Sequence, residues 1–290
     1  MPDATAKWGG MTERATERPL VDRLGPGTAV MGIVNVTPDS FFDGGRYATF
    51  EHAAAHAREL AEAGAHIIDI GGESSRPGAK PLTPAEELPR VLPVVRAASL
   101  HAPVSIDTYH ASTAEACVAA GAAMVNDITA LRGDPEMAGV LASSGVDCVL
   151  MHMQGEPKTM QSNPSYVDVV DDIRAFFDER MAYAVAHGIS ERRIWLDPGF
   201  GFGKTVAHNL ELLRRLGELT ALGRPILAGT SNKSMIGAVL NVPVDDRDAG
   251  TAATVAVAIA NGARAIRVHN VHMMARVARM TDAIYGKYHP

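Results

Sequence analysis

The chain has 290 residues, a net charge of −6 at neutral pH and a hydrophobic fraction of 47%, with few aromatic residues. This length fits one large α/β barrel domain or two small domains, with a core that needs no disulfides. Interspersed charges of both signs argue against a nucleic-acid-binding protein. The two cysteines, Cys117 and Cys148, are too few for a disulfide framework, and they predict small buried residues in a reducing compartment.

The first 25 residues show no helix or strand pattern. The segment from Met1 to Gly27 is polar and charged, and it lacks the apolar stretch of a signal peptide. No uncharged apolar run of about 18 residues, the length needed to span a membrane, occurs in the chain. We therefore expect a cytoplasmic protein without a membrane span, with residues 1–25 as an unassigned N-terminal arm and residues 26–290 as a single domain.

A repeated pattern follows along the chain, in which an alanine-rich segment ends in glycine and an apolar run begins within a few residues. Glycine readily adopts the left-handed conformation that ends a helix, and the short apolar run after it is typical of a buried strand. The pattern therefore predicts alternating helices and strands. The glycines are Gly64, Gly121, Gly145, Gly188 and Gly262.

Two helix starts can be predicted from local sequence. Residues 49–63 have helical periodicity, and Thr49 is the expected N-cap. Farther along, the residues Thr-Pro-Ala-Glu at 83–86 combine a capping box with proline at the first helical position. A helix is therefore expected to begin at Pro84.

Eight apolar runs are predicted to form strands, with helical sequence in most of the gaps between them. Eight β-α alternations favour a (β/α)8 TIM barrel, an α/β fold, over an open sheet, in which about six strands or fewer are usual. An open doubly wound sheet remains the alternative. The predicted strands are residues 29–35, 66–70, 103–107, 123–127, 147–152, 193–197, 225–230 and 264–268.

A polar residue follows each apolar run. In a parallel barrel all strands end at one face, and that face is where active sites form. The sequence therefore predicts a polar site at this face, although polar residues also collect at strand ends simply because they meet water. The residues are Asn35, Asp69, Asp107, Asn126, Asp127, His152, Asp197, Ser231, Arg267 and His269.

Several loops after the predicted strands are rich in glycine, serine and basic residues, a composition that suits a phosphate or another anion. The run 197–204 is not a P-loop, because Pro198 stands where the first glycine of that motif is required. The histidines lack the paired spacing of a zinc site.

At these loops the sequence resembles the dihydropteroate synthases. The matching motifs occur in the order found in that family, on the predicted strand ends, and together they extend over roughly residues 29–280. They are NVTPDSF at 35–41, ESSRPG at 73–78, SIDT at 105–108, ND at 126–127, MHMQ at 151–154, DPGFGFGK at 197–204, GTSNKSMIG at 229–237 and RVH at 267–269.

The resemblance implies a transferase of folate biosynthesis, a family that sulfonamides inhibit, which joins a pterin-methyl diphosphate to 4-aminobenzoate. The arylamine is already neutral at pH 7, so a strong general base is not required. The barrier is charge separation, because a pterin-methyl cation forms while diphosphate departs. Electrostatic preorganisation is therefore expected to provide most of the rate enhancement.

The resemblance also implies which residues bind the pterin. Asp107, Asn126 and Asp197 are expected to hold its amino-pyrimidinone edge, since a carboxylate accepts paired N–H donors. Met151 is expected to pack against the ring, and Lys233 to bind the pterin carbonyl and ring nitrogen. Asp107 and Asp197 would also stabilise the developing cation, so both are expected to be catalytic with Lys233.

A second group of residues is expected around the diphosphate. Arg267, the fourth expected catalytic residue, would lie over the pterin face and direct its charge at the diphosphate, with His269 and Ser75 at the same anion site. The family uses Mg²⁺ bound to diphosphate oxygens, and Asn35 matches its protein ligand.

The 4-aminobenzoate side is expected to include Arg76, Pro77, Phe202 and Ser231. The loop that carries Ser75 and Arg76 resembles one that closes over the substrates in this family.

Two positions depart from the family pattern, which usually has arginine where this chain has Asn232 and aspartate where it has Asn270. The first change places the affinity for 4-aminobenzoate or sulfonamides in doubt. Two alternatives stay open: a pterin-binding methyltransferase that acts on a corrinoid, and a homologue that binds pterins without turnover. A homodimer is expected, without a predicted interface.

Overall fold

The computed structural model describes residues 18–36, 46–73 and 81–287, except for the side chains of residues 46–49. Parallel strands alternate with helices in this part of the chain. The strands are β1 Ala29–Asn35, β2 Ile67–Gly71, β3 Val104–Asp107, β4 Ala122–Asp127, β5 Asp147–Met151, β6 Ile194–Asp197, β7 Leu227–Ala228 and β8 Ala265–Val268. The helices are α1 Leu20–Arg23, α2 Arg46–Glu62, α3 Pro84–Ala98, α4 Ala111–Ala119, α5 Met137–Ser144, α6 Val169–Ala186, α7 Val206–Arg214, α8 Ser234–Leu240, α9 Asp248–Ala260 and α10 Val271–Ile284.

The strands surround a barrel axis in the order β6-β5-β4-β3-β2-β1-β8-β7, and each neighbouring pair is parallel. The two ends of this order meet through one parallel bridge between Leu196 and Ile226. A hydrogen bond of 3.0 Å from the Leu196 N–H to the Pro225 carbonyl supports this closure. The (β/α)8 barrel expected from the sequence is confirmed, and its strands all end at one face.

All eight predicted strands are present, and β7 differs most from its predicted length. It pairs only over Leu227–Ala228, whereas the sequence predicted residues 225–230. Pro225 has no N–H to donate to a strand ladder, and Gly229 already lines the pocket at the barrel mouth. The backbone around β7 is therefore mostly loop.

The predicted helix ends are confirmed, and one of the two predicted starts is wrong. The five glycines have positive φ, from 64° at Gly145 to 112° at Gly121. Helix α3 begins at Pro84, where the Glu86 carboxylate accepts a hydrogen bond of 2.8 Å from the Thr83 N–H. However, α2 begins at Arg46, so residue 49 is not its N-cap. A cap contributes only about 1 kcal/mol, which does not prevent good helix formers before it from starting the helix.

The barrel has an inner and an outer apolar layer. Met31, Met124 and Trp195 belong to a small buried cluster inside the strands. A larger cluster, including Cys117 and Cys148, fills the space around them, and both cysteines are fully buried and unpaired as expected. This packing keeps the strand ends, and the polar residues on them, in fixed relative positions.

Helix α1 covers the end of the barrel opposite the carboxyl ends of the strands. Leu20 is 1% exposed, and its N–H donates a 3.0 Å hydrogen bond to the buried Asp147, which also accepts one of 2.9 Å from the Trp195 ring. Part of the segment assigned from sequence to an arm thus packs on the barrel; the boundary at residue 25 stays a prediction. None of the helices in the described ranges is long and apolar enough to cross a lipid bilayer.

Candidate active site

One pocket at the carboxyl ends of the strands is lined by most of the residues that the sequence singled out. Carboxylates, an amide and two cations from five different strands and the loops after them meet there, next to a thioether and an aromatic ring. The sequence therefore predicted the composition of this pocket from positions far apart in the chain. The residues are Asp107, Asn126, Met151, Asp197, Phe202, Lys233 and Arg267.

Arg267, on β8, forms two ion pairs at the base of the pocket. Its Nε lies 2.6 Å from Asp69 Oδ2, and its Nη2 lies 2.7 Å from Asp107 Oδ2. Burial alone would lower the pKa of the guanidinium, but the charges of Asp69 and Asp107 raise it above its ordinary value. Arg267 is therefore a fixed cation in the barrel mouth. Asp69, to which the sequence gave no role, is its fully buried partner.

Asp107, the last residue of β3, lies among several other charged side chains. Burial raises its pKa to about 7 although Arg267 opposes the shift, and Asp69 and Glu87 add to it. Glu87, on α3, is buried behind it and accepts a hydrogen bond of 2.8 Å from the hydroxyl of Thr108. The surroundings of Asp107 therefore favour its protonated form more than water does.

Asp197 and Lys233 lie on the opposite side of the pocket. Asp197 Oδ1 accepts a 2.7 Å hydrogen bond from the Gly199 N–H; burial raises the pKa of the carboxyl, while that bond, Lys233 and Arg267 lower it. The Lys233 ammonium lies 4.3 Å from the centre of the Phe202 ring, and burial, aided by Arg267, lowers its pKa to about 8. This side of the pocket therefore holds a carboxylate and a cation, and the cation lies over an aromatic ring.

Three buried polar side-chain atoms on the neighbouring strands β2, β3 and β4 have no hydrogen-bond partner within the described residues. They are the buried atoms Asp69 Oδ1, Ser105 Oγ and Asn126 Oδ1. The other amide atom of Asn126, Nδ2, lies 3.4 Å from Asp69 Oδ2, which leaves its oxygen free for an N–H donor. Buried polar atoms of this kind normally bind water or a ligand.

A glycine-rich loop after β6, residues 199–203, is held from beneath by Lys204. The Lys204 ammonium donates hydrogen bonds of 2.9 Å to the Gly199 carbonyl and 3.1 Å to the Phe202 carbonyl. It also lies 2.9 Å from His152 Nδ1. The sequence grouped Lys204 with the basic residues of loops that suit an anion, whereas the structure places its ammonium on the carbonyls of its own loop.

The remaining predicted residues lie apart from this pocket or outside the described chain. Ser231 Oγ lies 2.9 Å from Nδ1 of the exposed His269, so these two residues are brought together at the mouth. Asn35 is exposed at the end of β1, which pairs with β8. Ser75, Arg76 and Pro77 lie outside the described residues, and their roles stay predictions.

The two positions that depart from the family pattern have local structural roles. Asn232 has φ 59°, a left-handed conformation that asparagine tolerates better than most residues, and its carbonyl accepts a 2.8 Å hydrogen bond from Arg247. Asn270 caps α10 by accepting from the Met273 N–H at 3.1 Å, and its Nδ2 donates to Asp248 at 2.7 Å. An aspartate at position 270 could make the cap but not the second bond.

A second cavity, of about 450 Å³, adjoins the pocket and shares Ile128 with it. Tyr109, Arg132 and Met153 are among its lining residues. Arg132 donates to the Thr129 carbonyl at 2.9 Å, so its guanidinium helps to shape the loop after β4. Asp107 and Asp197, the two carboxylates at strand ends, line the first pocket and are not among the lining residues of this cavity.

Comparison with known proteins shows which family this chain is similar to. The family model described as pterin binding enzyme matches residues 31–269. The dihydropteroate synthase of Bacillus subtilis is 46% identical over 262 residues, which cover 90% of each chain. The Yersinia pestis dihydropteroate synthase with a sulfonamide drug complex has a TM-score of 0.85 at 44% identity, with coverage of 90% of this chain and 95% of that chain. The Xanthomonas albilineans dihydropteroate synthase in complex with 7,8-dihydropteroate has a TM-score of 0.81 at 42% identity, with coverage of 89% and 94%.

Proposed function

The chain belongs to the dihydropteroate synthase family, and we propose that it joins the methyl carbon of a pterin-methyl diphosphate to the amino nitrogen of 4-aminobenzoate. The products are 7,8-dihydropteroate and diphosphate. The observation that carries this function is the meeting of Asp107, Asn126 and Asp197 with Lys233 and Arg267 in one pocket. Acceptors on one side and cations beside them suit a heterocycle that loses an anionic leaving group.

The carboxylates and the amide bind the pterin edge. Its neighbouring N–H groups donate to Asp197 and Asp107, and the unpartnered oxygen of Asn126 accepts a further donor. Lys233 donates to the pterin carbonyl and ring nitrogen. The pterin therefore supplies hydrogen-bond partners for these buried polar groups. These hydrogen bonds fix its orientation before the chemistry begins.

The reaction then breaks the bond between the pterin methylene carbon and the diphosphate oxygen. The electron pair leaves with the diphosphate, and positive charge develops on the pterin-methyl group beside Asp107 and Asp197. The lone pair of the arylamine forms the new C–N bond, and the nitrogen afterwards loses a proton to solvent. Because the carboxylates are held in place before charge develops, they stabilise the transition state without reorganisation.

Arg267 and His269 bind the diphosphate, with Ser75 from the loop after β2. A guanidinium has five N–H donors, and the contacts of Arg267 with Asp69 and Asp107 use only two of them. The exposed His269, held by Ser231, adds a second donor at the mouth. These side chains lower the free energy of the departing anion.

Mg²⁺ is the proposed cofactor, with Asn35 as its protein ligand. Asn35 is exposed at the end of β1, next to β8, so its amide oxygen is available on the side of Arg267. Mg²⁺ typically keeps several waters and takes one or two protein oxygens together with substrate phosphates, a coordination that one amide can complete. When bound, the ion neutralises charge on the diphosphate.

The 4-aminobenzoate lies on the side of Phe202 and Ser231, with Arg76 and Pro77 from the loop after β2. Phe202 is buried against the Lys233 ammonium, which gives this side an apolar surface for the aryl ring next to the pterin. Sulfonamides, which share the arylamine shape, would compete for the same surface.

One assay tests the proposed function. Purified protein is incubated with the pterin-methyl diphosphate, 4-aminobenzoate and Mg²⁺, and the reaction is analysed for dihydropteroate. We expect product that depends on all three additions. Pterin binding without product would contradict the proposal and favour a pterin-binding protein that catalyses another reaction or none.

We also propose a cytoplasmic homodimer. The two buried free cysteines agree with a reducing compartment. Large apolar side chains are exposed along α7 to α10, an apolar surface of a kind that often marks an interface with a second copy. Analytical ultracentrifugation would contradict this proposal if it found a monomer at micromolar concentration. The exposed residues are Val206, Leu210, Val239, Leu240, Val244, Val257, Met280, Ile284 and Tyr285.

A further inference from the structure

Lys204 is a buried lysine that none of the proposed binding contacts uses. Lys204 is 3% exposed. Its ammonium has three partners within hydrogen-bond distance: the carbonyls of Gly199 and Phe202 and the ring of His152. Burying a cation is costly unless it is paired and hydrogen-bonded. The three partners offset this cost and indicate that the cation has a specific role beside the pocket.

The loop that Lys204 binds is pressed against the end of β5. Gly199 and Gly203 have φ of 69° and 61°, which favour glycine. A Cβ at Gly199 would overlap the carbonyl oxygen of His152, and a Cβ at Gly203 would overlap that of Gln154. The backbone of the loop therefore lies directly on the β5 loop, and the ammonium fixes it from the inner side.

Two pocket residues depend on the position of this loop. Asp197 accepts the N–H of Gly199 at 2.7 Å, and Gly199 is in turn held by Lys204 through its carbonyl at 2.9 Å. Phe202, whose carbonyl also binds Lys204, places its ring 4.3 Å from the Lys233 ammonium. One buried cation thus connects the pterin-binding carboxylate with the aromatic residue of the 4-aminobenzoate side.

The charges around Lys204 come from several neighbouring elements. Burial lowers its pKa to about 7, Asp197 raises it and Lys233 lowers it further. On the β5 side, burial lowers the pKa of His152 to about 2, with Lys204 and Arg132 adding to the shift, so the ring is neutral and its Nδ1 accepts from the ammonium. Asp197 in turn faces Lys233, Arg267 and Lys204.

We propose that Lys204 is a positioning residue: its ammonium holds the 199–203 loop in place and stabilises the charge of Asp197, so that this carboxylate can accept the N–H donors of the pterin. The proposal rests on the function proposed above. Lys204 does not touch the substrate; it acts through Asp197 and Phe202.

The test compares pterin binding by the wild-type protein and the Lys204→Met variant. Methionine keeps most of the side-chain volume and removes the charge. The probe is 6-hydroxymethylpterin, which lacks the diphosphate, and its Kd is measured by calorimetry from pH 6 to pH 8. Ionisation of the free probe affects all proteins alike, so it cancels in the ratio of the variant Kd to the wild-type Kd.

We expect this ratio to be about tenfold or more at pH 6 and to approach about twofold at pH 8, since one pKa unit corresponds to a factor of ten. Without Lys204 the pKa of Asp197 rises further, so a larger fraction of the carboxyl is protonated at pH 6. As the pH rises above about 7, the wild-type Lys204 itself loses its proton, so the variant and the wild type become more alike.

Tyr166→Phe is the matched control. The Tyr166 hydroxyl donates a 2.7 Å hydrogen bond to the Gly203 carbonyl, so this variant removes a neutral contact to the same loop. Its Kd ratio should not change with pH. A Lys204→Met ratio that is equally constant, or close to one at pH 6, would overturn the proposal, because the lysine would then act only as packing.

A second variant keeps the proposal testable if Lys204→Met does not fold. Lys204→Gln keeps an N–H donor for the loop carbonyls without the charge, and it should show the same pH-dependent loss in a protein whose unfolding temperature is close to that of the wild type. A ratio near one in Lys204→Gln at pH 6 contradicts the proposal. If the wild-type protein does not bind the pterin at all, the proposed function fails instead, and the two failures are distinguishable.

Discussion

The guanidinium of Arg267 lies 2.6 Å from the carboxylate of Asp69, and the two residues stand on β8 and β2, which are separated by β1. Asp69 is fully buried, whereas 22% of the Arg267 side chain is exposed toward the mouth. The pair therefore anchors the inner end of the guanidinium and leaves its outer end for a ligand.

We expect Asp69→Asn to lower the free energy of unfolding by about 2 kcal/mol, because it removes one of two carboxylates from a buried cation. It should also reduce kcat/KM about tenfold, since Arg267 loses its fixed orientation toward the diphosphate. Urea unfolding and steady-state kinetics measure the two effects. Asp22→Asn, which breaks an exposed pair with Arg192, is the control and should stay within about 0.5 kcal/mol of the wild type.

We expect Asp197→Ala and Lys233→Ala each to lower kcat/KM by about a hundredfold or more, because each removes a charged group from the reacting centre. Asn232→Ala should cost less than about tenfold, since its side chain does not line the pocket and the main effect is strain at φ 59°. Steady-state assays with each substrate varied in turn make the comparison. Equal activity in the three variants would contradict the roles assigned to them.

We expect Asp107 to make the folded state less stable as the pH rises from about 4 to about 7. Burial raises its pKa to about 7 in the folded protein, against about 3.9 in the unfolded chain, so the folded state binds more protons in this window and loses stability as the pH rises through it. Urea unfolding of the wild type and of Asp107→Asn isolates this contribution. The difference in unfolding free energy, wild type minus variant, should fall by more than about 1 kcal/mol; a constant difference would contradict the assignment.

We expect Asn270→Asp, which restores the residue usual in the family, to destabilise this protein at pH 7. Aspartate can still cap α10, but the hydrogen bond of 2.7 Å from the amide to Asp248 becomes a contact between two carboxylates. The loss should be about 1 kcal/mol, and the double variant Asn270→Asp, Asp248→Asn should recover most of it. Thermal unfolding of the single and double variants decides the outcome.

We expect Gly199→Ala to abolish pterin binding or to lower stability by about 3 kcal/mol or more, because the new Cβ would overlap the His152 carbonyl. Gly145→Ala provides a matched control: it has a similar φ, 64° against 69°, but open space around its Cβ, so it should cost only about 1 kcal/mol. Calorimetric pterin binding and urea unfolding compare the two. Equal losses would mean that the backbone conformation alone, not the close approach, is responsible.

The fold was predictable because its signals are local. Glycines that end helices, such as Gly64 and Gly121, and the apolar runs after them repeat along the chain, and their number indicates the barrel. The extent of β7 was harder to predict, because the sequence predicts one strand over residues 225–230, whereas only Leu227–Ala228 pairs with β8 and the residues on either side follow the barrel closure and the loop. The start of α2 depends on context in a similar way.

The site was predictable in composition but not in its internal contacts. Motif resemblance gave the residues that meet in the pocket, including Asp107, Asp197 and Lys233. The pairing of Arg267 with Asp69 joins residues 198 positions apart, and no local pattern encodes it. Lys204 was missed because its direction, inward to the carbonyls of its own loop, is set by the close contact between the β5 and β6 loops.

The single bridge between Leu196 and Ile226 makes the junction of β6 and β7 the seam of the barrel with the least backbone hydrogen bonding. Small separations of the two strands there break fewer ladder bonds than anywhere else around the axis, so amide hydrogen exchange should be fastest along this line. The loops directly above it carry Phe202 and Lys233. The residues proposed for the aryl ring and two of those proposed for the pterin, Asp197 and Lys233, therefore stand on the part of the barrel where separation of the strands breaks the fewest ladder bonds.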